Sequence, residues 1–485
     1  MDVESIKWNK ETDVLIVGSG FAGLAAAIEA KNAGVSVIIL EKMPYLGGNS
    51  IISAGCYNCV DTERQKPEGI EDSIELHYEQ TIAGGDYKAE PDKVRYLVEH
   101  ALDGWQWLES MGVKLDRPVF QLYGAVWPRT HSARYGRKRE GAAIIGALYE
   151  QVIAKHIPIL LQHRMTRIIR KQPISGKVLG VEVLTGKRKR YFKVKKALLL
   201  ASGGFCADVH MRMQYDPRYD DRYTTSNHAG ATGEILTMAA DIGAAMTGME
   251  YIQAAGPTGR DIRYTRRPAG VRKLSRVNPI SGMSTNSTLY LNIKGERIVA
   301  CDARRDDITE AVMRTPEKVC YLVNDLQGLV ASGRIFGEIS LENAIKLASK
   351  YPNEVFIADT LRELAQQTGM DPAILEKTVN TYNTYVDAKH DPDFNQAAYN
   401  LVYKIEIPPF FASSGSPAVH YMCGGLKTDT ATCQVIDRAG EPIPGLYAAG
   451  EVVGGVHGTN RLGGNAIADC IVFGRLAGKT IAAIK

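Results

Sequence analysis

The feature that most constrains this chain is a strand–turn–helix–strand pattern near its start. Residues 13–17 form a short apolar run, typical of a buried parallel strand, that leads into the turn Gly18-Ser-Gly-Phe-Ala-Gly23. Residues 24–32 are rich in alanine, Gly34 ends the predicted helix, and residues 35–40 form a second apolar strand. Strands joined through a helix lie parallel in one sheet, so the sequence predicts an α/β fold.

The glycines of this turn, and the acidic residue after the second strand, indicate the kind of ligand. Gly18 permits a tight turn, Gly20 lets the backbone approach a pyrophosphate, and Gly23 allows the helix to pack on the strand. The helix N-terminus offers unpaired N–H groups and a partial positive charge to an anion. Glu41 follows Gly18 by 23 positions, where a carboxylate can accept the hydroxyls of a ribose. The pattern therefore predicts a dinucleotide-binding unit of the Rossmann type.

Further glycine-rich turns, distant in the sequence, distinguish between dinucleotides. The turn Gly47-Gly48-Asn49-Ser50 follows the second strand directly, and Gly203-Gly204 follows another apolar run. A last group of glycines lies between residues 445 and 464. Turns so far apart imply one long ligand that crosses a sheet built from both ends of the chain. FAD fits this arrangement better than NAD.

Composition and charge narrow the functional class. The 485 residues include 58 basic and 54 acidic side chains, and the net charge of +4 is too small to favour nucleic acid or an acidic membrane. Eight scattered cysteines are typical of a reduced protein, and the pair Cys56 and Cys59 reads as two ordinary thiols. No apolar run reaches the roughly 18 residues that span a bilayer. We expect a cytoplasmic protein with no metal, nucleic-acid or membrane partner.

The middle of the chain departs from the α/β pattern. It mixes polar loops with short strands and helical stretches, namely 287–292, 341–349, 359–368 and 373–388. We therefore predict an α/β fold in which a Rossmann-type FAD-binding domain carries an inserted α+β capping domain. The FAD-binding domain is expected to comprise residues 1–249 and 421–485, and the capping domain residues 250–420.

Four blocks of residues resemble a known family, and the match extends over nearly the whole chain. They are residues 18–23, residues 41–50, Ala201-Ser-Gly-Gly-Phe205 and, most specific, His457-Gly-Thr-Asn-Arg-Leu-Gly-Gly-Asn465. These blocks look like the flavoprotein family of fumarate reductase and succinate dehydrogenase, in particular its soluble branch with urocanate reductase and ketosteroid dehydrogenases. The resemblance implies FAD, a capping domain, and hydride transfer between flavin N5 and a C=C bond conjugated to a carbonyl group.

The resemblance also implies roles for individual residues near the substrate. His420 and Arg461 match the family's substrate-binding histidine and arginine. Gly463 and Gly464 closely follow Arg461 in the sequence. Arg305 matches the arginine that serves as general acid in the family. We therefore expect Arg305, His420 and Arg461 to be catalytic, with substrate binding by His420, Arg461, Gly463 and Gly464.

The same resemblance predicts how the chain holds FAD. Asn49 stands where the membrane enzymes carry a histidine linked to the flavin, which implies non-covalent FAD. The helix that begins near Asn465 is expected to point its N-terminal dipole at the flavin N1–C2=O edge and to favour the anionic reduced flavin. The predicted FAD-binding residues are Gly18, Gly20, Phe21, Ala22, Gly23, Glu41, Lys42, Gly48, Asn49, Ser50, Gly55, Gly203, Gly204, Glu234, Gly450, Glu451, Asn465, Ala466 and Ile467.

The chain departs from the family pattern at several substrate positions. Ala255 stands where the fumarate reductases have a histidine that helps to hold the substrate. Ile280, Ser281 and Ser284 occur where those enzymes have a Thr–Glu pair and a proton-relay arginine. We therefore expect a substrate that is larger and less anionic than fumarate: a ring ketone, a steroid or an isoflavonoid such as tetrahydrodaidzein.

Two other functions remain open at this point. A 3-ketosteroid dehydrogenase would need tyrosines as acid and base, for which the candidates are Tyr251, Tyr290 and Tyr421. A flavin electron-transfer subunit would need no substrate residues, and the retained arginines argue against it. In the absence of the family relay, Asp302, Asp306 or a tyrosine would return the proton to the general acid. The expected partners are a small-molecule substrate and an electron donor that the sequence does not identify.

Overall fold

The predicted strand–turn–helix–strand unit lies at the centre of the largest sheet. The computed structural model describes residues 3–258, 285–336 and 340–485, and in it the unit comprises Lys10–Val17, Phe21–Asn32 and Val37–Leu40. The helix begins at Phe21, earlier than the sequence pattern indicated, because the buried side chains of Phe21 and Ala22 already belong to the apolar core.

The β-strands of the described residues are named in chain order. They are β1 (Lys10–Val17), β2 (Val37–Leu40), β3 (Cys56–Asn58), β4 (Lys114–Leu115), β5 (Thr130–Tyr135), β6 (Lys138–Arg139), β7 (Ile159–Leu160), β8 (Arg164–Arg170), β9 (Val178–Thr185), β10 (Arg188–Leu200), β11 (Thr224–Thr225), β12 (Met246–Thr247), β13 (Ile252–Thr258), β14 (Leu289–Leu291), β15 (Arg297–Val299), β16 (Cys320–Asn324), β17 (Val355–Ala358), β18 (Phe410–Met422), β19 (Gly425–Leu426), β20 (Gln434–Ile436) and β21 (Pro442–Ala448).

The α-helices are named in the same way. They are α1 (Phe21–Asn32), α2 (Gly48–Ile52), α3 (Thr62–Gln65), α4 (Ile74–Gly84), α5 (Pro91–Ser110), α6 (Glu140–Ala154), α7 (Val209–Tyr215), α8 (Glu234–Asp241), α9 (Arg305–Arg314), α10 (Leu326–Phe336), α11 (Leu341–Lys350), α12 (Leu361–Thr368), α13 (Pro372–Ala388) and α14 (Asn465–Ala483).

The largest sheet joins both ends of the chain. Its strands run in the order β20-β21-β10-β1-β2-β7, and β9 connects β8 to β10 along the side of this path. β1 is parallel to both β10 and β2, and β10 is parallel to β21. A strand from the C-terminal segment therefore completes the sheet that the N-terminal unit begins, as the sequence predicted.

Apolar side chains cover both faces of this sheet. One buried cluster contains residues of α1, α5, α6 and α14, and the other contains residues of β8, β9, β10 and α8. Burying a single Val, Leu, Ile or Phe side chain contributes about 1.5–3 kcal/mol, so these clusters fix the sheet on which the site is built. Among the described residues, no helix is long and apolar enough to cross a membrane.

A second sheet is organised around the long strand β18. It runs in the order β11-β18-β16-β14-β15, and β13 and β17 also pair with β18. The nearby helices α9, α12 and α13 contribute buried residues to apolar clusters with this sheet. β18 carries His420 near its C-terminal end, and α9 begins at Arg305, so this layer presents two of the three predicted catalytic residues. The domain boundaries predicted above stay a prediction.

Candidate active site

The turn between β1 and α1 is closely packed against the neighbouring strand. Gly18 has a φ of +109°, and a Cβ atom there would lie 2.2 Å from the carbonyl oxygen of Ala201. A Cβ atom on Gly23 would lie 2.1 Å from the carbonyl oxygen of Gly18. Both positions therefore require glycine, and the turn leaves the start of α1 open toward the cleft above the sheet.

Glu41 lies buried at the end of β2, beside this turn. Its carboxylate accepts hydrogen bonds from the Ser19 hydroxyl at 2.6 Å, the Ser19 N–H at 3.2 Å and the Met43 N–H at 2.9 Å. These bonds hold the carboxylate at the carboxyl ends of the strands, which is where the sequence pattern expects a ribose.

A cleft of about 870 Å³ extends along the carboxyl ends of β1, β2 and β10. Thirteen predicted FAD-binding residues line it: Gly18, Gly20, Phe21, Ala22, Glu41, Lys42, Gly48, Asn49, Ser50, Gly203, Glu234, Gly450 and Glu451. Six others do not: Gly23, Gly55, Gly204, Asn465, Ala466 and Ile467. Residues from the N-terminal, middle and C-terminal segments thus meet in one elongated cleft.

The cleft also contains residues that the sequence reasoning missed. His163, just before β8, Arg164 and Met165, at the start of β8, and His228 after β11 line it. For His163 to Met165, the sequence offers one indication: they follow the short strand at residues 159–160. Parallel strands place their carboxyl ends at one edge of a sheet.

Charged side chains at one end of the cleft are paired with each other. Glu234 accepts hydrogen bonds from Lys42 Nζ at 2.5 Å and from Arg164 Nε at 2.6 Å. Burial alone would raise the pKa of Glu234, but the hydrogen bonds and charges of these two cations hold that pKa below its usual value. The carboxylate is therefore ionised, and with its two cations it forms an ion-paired cluster of net charge +1.

Asn49 is held in the cleft by polar contacts. Its Nδ2 donates to Oδ1 of Asn227 at 2.5 Å, and its Oδ1 accepts from the N–H of His228 at 2.7 Å. An amide offers no nucleophilic nitrogen for a bond to the flavin, which is consistent with the non-covalent FAD that stays a prediction.

The residues of the cleft fit FAD on their own chemistry. Two glycines with positive φ, Gly203 and Gly450, bring backbone to the cleft wall without side chains. Glu451, which is buried and whose pKa burial raises, adds a hydrogen-bonding carboxyl. The start of α14, outside the cleft lining, carries no side-chain cap, and the N–H groups of Ala466 and Ile467 have no intrahelical partner.

Arg305 is buried at the start of α9, beside the loop between β4 and β5. Its Nη2 donates to the carbonyl oxygen of Tyr123 at 2.7 Å, and its guanidinium lies 5.3 Å from the centre of the Tyr123 ring. Nη1 is buried without a hydrogen-bond partner among the described residues. Burial, and then the charge of Arg461, lowers the pKa of Arg305 to about 9.

Arg461 lies in the loop before α14 and is 5% exposed. Its guanidinium faces the ring of Tyr421 at 4.8 Å, and its Nε has no hydrogen-bond partner among the described residues. Burial lowers the pKa of Arg461. Within residues 3–258, 285–336 and 340–485, neither Arg305 nor Arg461 forms an ion pair with a carboxylate.

His420 on β18 completes this cluster. Its Nδ1 lies 2.5 Å from the hydroxyl of Ser226, and its carbonyl oxygen accepts from Nδ2 of Asn227. Burial, followed by the charges of Arg461 and Arg305, holds the pKa of His420 well below its usual value. His420 is therefore neutral, and the structure brings it together with both predicted arginines; we call these three residues the cationic cluster.

Other candidates from the sequence lie in different surroundings. Asp302 accepts from the Ala397 N–H at 2.9 Å and from Nδ2 of Asn400 at 3.0 Å. Asp306 accepts from Arg304 at 2.6 Å, and burial raises its pKa to about 6. Ile280, Ser281 and Ser284 fall outside the described residues.

Two of the tyrosines proposed for a steroid dehydrogenase, Tyr290 and Tyr421, have different surroundings. Tyr290 is fully buried in an apolar cluster with Tyr123 and Ile308. Tyr421 packs its ring on Arg461 and donates its hydroxyl hydrogen to Asp469 at 3.5 Å. Of these two tyrosines, Tyr421 contacts the cationic cluster, through this packing of its ring on Arg461.

The similarity of this chain to known proteins agrees with an FAD-binding fold. The FAD binding domain family matches residues 13–467. The chain is 36% identical over 475 residues to a probable fumarate reductase, Ifc3, of Shewanella frigidimarina, covering 98% of this chain and 75% of the relative. It is 34% identical over 481 residues to urocanate reductase of Eggerthella lenta, covering 98% and 75%. The open conformation of a flavocytochrome c3 fumarate reductase superposes with a TM-score of 0.75 at 34% identity, covering 98% and 78%.

The fold, the cleft and these relatives define an FAD-dependent oxidoreductase that acts on CH–CH groups. The chain belongs to the FAD binding domain family, in the group of fumarate reductase-like flavoproteins. FAD as cofactor is thereby confirmed, whereas the roles of the individual site residues stay predictions.

Proposed function

We propose that the protein reduces a C=C bond conjugated to a carbonyl or carboxylate group, in a substrate with no more than one carboxylate. The observation that carries this proposal is the cationic cluster: two buried guanidiniums and a neutral histidine, without an acidic partner among the described residues. Buried charges without partners are costly, so such a cluster is expected to have a ligand that supplies negative charge.

Arg461 and His420 are the proposed substrate-binding pair. Bound FAD supplies the hydride that reaches the β-carbon of the double bond. Negative charge then grows on the carbonyl or carboxylate oxygen, where Arg461 offers a buried, unpaired Nε. When Ser226 donates to Nδ1 of His420, the neutral ring carries its proton on Nε2 and can donate it to the same oxygen.

Arg305 is the proposed proton donor to the α-carbon. An ordinary guanidinium, with a pKa above about 12, is a poor acid at neutral pH. Burial and the nearby charge of Arg461 lower the pKa of Arg305 to about 9, which brings it closer to the range of useful general acids. Its bond to the Tyr123 carbonyl fixes one end of the guanidinium and leaves Nη1 unpaired. Run in reverse, the same groups would serve a dehydrogenase.

The substrate class follows from what surrounds this cluster. Fumarate carries two carboxylates, whereas urocanate, after which a relative is named, carries one. Ala255 is buried on β13 and offers no hydrogen bond to a second carboxylate. A ring ketone, a steroid or an isoflavonoid would place its apolar part there, and a monocarboxylate would place its uncharged end.

A steady-state screen with a reduced viologen dye tests this function. The panel is fumarate, urocanate and a cyclic enone, each assayed with the FAD-loaded protein. Losing one charge-assisted contact costs about 2–5 kcal/mol, which predicts that kcat/KM for fumarate lies roughly 30- to 5,000-fold below the best of the other two. Fumarate turnover equal to the best substrate would disprove the proposed class, and no turnover of any conjugated compound would disprove the function.

A further inference from the structure

Asn58, at the end of β3, contacts three consecutive residues of the loop that leads into α14. Its Nδ2 donates to the carbonyl oxygen of Gly463 at 2.7 Å and to Oδ1 of Asn465 at 2.9 Å. Its backbone N–H donates to the carbonyl oxygen of Gly464 at 3.1 Å. This loop also carries Arg461, so one buried side chain touches the segment between the predicted substrate site and the predicted FAD site.

The orientation of the Asn58 amide is fixed by its partners. The carbonyl oxygen of Gly463 can only accept, so Nδ2 must face it. Oδ1 then accepts from the hydroxyl of Thr130 at 2.7 Å. Both N–H hydrogens and the oxygen of the side chain are engaged, and the residue is 2% exposed. Asn58 thus acts as a rigid link between β5 and the loop.

The start of α14 is shaped around this link. Gly464 has a φ of +91°, and a Cβ atom there would lie 2.0 Å from Oδ1 of Asn58. The side chain of Asn465 is held further by Thr81, which accepts from its Nδ2 at 3.2 Å. The N–H groups of Ala466 and Ile467, in the first turn of α14, have no intrahelical partner. No side chain caps the helix in their place.

We propose that Asn58 is a positioning residue that holds the uncapped start of α14 for FAD and thereby raises the reduction potential of the bound flavin. Free N–H groups and the helix dipole stabilise negative charge, which the reduced flavin has and the oxidised flavin lacks. This effect decays within the first turn of the helix, so a small displacement of the loop weakens it. The inference rests on the predicted contacts of Asn465, Ala466 and Ile467 with FAD.

The test measures the two-electron midpoint potential of the FAD-loaded protein by reductive titration against reference dyes. Asn58→Ala removes the link, and Thr130→Val removes only the bond that orients it. Tyr57→Phe is the matched control: Tyr57 is the preceding residue of β3, and its buried hydroxyl donates to Ala101 at 2.7 Å, away from the loop. All three variants lose buried hydrogen bonds, so a merely structural effect would appear in all of them.

We expect Asn58→Ala to weaken the preference for reduced over oxidised flavin about tenfold, which lowers the midpoint by about 30 mV. Thr130→Val should lower it less, and Tyr57→Phe should leave it unchanged. Unchanged potentials in Asn58→Ala and Thr130→Val, or an equal fall in Tyr57→Phe, would overturn the proposal. If Asn58→Ala does not retain FAD, Thr130→Val decides. The measurement needs no substrate, so it is independent of the proposed reaction.

Discussion

The FAD cleft and the cationic cluster, which lie in the same molecule, are built in different ways. The cleft takes its turn and its buried Glu41 from one strand–helix–strand unit, within 23 positions of Gly18. The cluster brings together Arg305 from the start of α9, His420 from β18, and Arg461 from a loop before α14. The glycine turn and carboxylate of the cleft are therefore local in sequence, whereas the cluster exists only in the folded chain.

The two regions also treat charge differently. In the cleft, the carboxylate of Glu234 is neutralised by Lys42 and Arg164. In the cluster, burial and the charge of Arg461 lower the pKa of Arg305, burial lowers the pKa of Arg461, and neither forms an ion pair with a carboxylate among the described residues. The carboxylate at this end of the cleft is paired within the protein, whereas the cluster requires an anion or a developing negative charge. This contrast predicts that substitutions in the cleft change binding of FAD and that substitutions in the cluster change turnover.

The largest effect is expected for Arg305→Ala. Loss of the proposed general acid should lower kcat by about 10²- to 10⁴-fold, while FAD content and substrate affinity change little. The measurement is steady-state kinetics with a reduced viologen dye, together with the flavin absorbance of the purified protein.

Arg314→Ala provides the matched control for Arg305. Arg314 lies in the last turn of the same helix and is exposed to solvent, so its loss should leave kcat within about twofold, as for most exposed side chains. Near-normal turnover of Arg305→Ala with FAD bound would assign the proton donor to another residue, and a tyrosine of the capping layer would then be the first candidate.

The corresponding prediction for the cleft concerns Glu41→Ala. Removal of the carboxylate should weaken FAD binding by about 1–3 kcal/mol, or roughly 5- to 150-fold, while kcat at saturating FAD changes little. Fluorescence titration of the apoprotein with FAD measures this affinity.

Glu182 offers a matched control for Glu41. Its carboxylate is also nearly buried in the same sheet, where it accepts from Thr166 at 2.8 Å, but it lies outside the cleft. Glu182→Ala should lower stability without changing FAD affinity. Equal losses of FAD affinity in both variants would mean that Glu41 acts through the sheet and not through contact with the cofactor.

The dependence of turnover on pH sharpens the electrostatic contrast. The pKa of Arg305 is lowered to about 9 by burial and by Arg461, and the acid must be protonated, so kcat/KM should fall about tenfold per pH unit above that value. His420, whose pKa lies well below its usual value, stays neutral from pH 6 upward and should cause no change near pH 6.5. Rates that stay level to pH 10.5, with FAD retained, would contradict Arg305 as the acid.

The sequence predicted the cleft better than the cluster for a physical reason. Tight turns, close helix packing and a ribose-binding carboxylate impose residue types at fixed spacing, and Gly18, Gly23 and Glu41 lie where that spacing required. His163 and Arg164 carry no such signal, since they reach the cleft only because β7 ends and β8 begins at its edge. Their place depends on tertiary packing.

The residues of the cationic cluster could be predicted only from the resemblance of the chain to a family. No spacing in the chain connects Arg305 with Arg461, which are 156 positions apart, and only the fold brings Arg461 near enough to lower the pKa of Arg305. The positioning role proposed for Asn58 could not be predicted from the sequence, because an asparagine at the end of a three-residue strand has no distinguishing pattern. Long-range hydrogen bonds of this kind leave no periodic trace in a sequence.

The smallest predicted effect concerns Ser226, which orients a cluster residue without touching the proposed substrate. Its hydroxyl lies 2.5 Å from Nδ1 of His420, and its backbone N–H donates to Val419 at 3.0 Å. Ser226→Ala should lower kcat/KM about 2- to 12-fold, the range for one hydrogen bond worth about 0.5–1.5 kcal/mol, because the ring then samples other orientations. Steady-state kinetics and flavin content of the same preparation measure this change.

The neighbouring Thr225 separates orientation of the ring from packing of the strand. Its hydroxyl donates to the carbonyl oxygen of Val419 at 2.8 Å, so Thr225→Val removes a bond to β18 that does not involve the His420 ring. Thr225→Val should leave kcat/KM near that of the natural protein, and Ser226→Thr, which keeps a hydroxyl, should recover most of the loss. If Ser226→Ala and Thr225→Val lose activity equally, β18 as a whole is displaced and the bond to Nδ1 has no separate role. If only Ser226→Ala loses activity, the cationic cluster depends on the orientation of the His420 ring as well as on charge. The ion pairs of Glu234 in the cleft depend on charge alone.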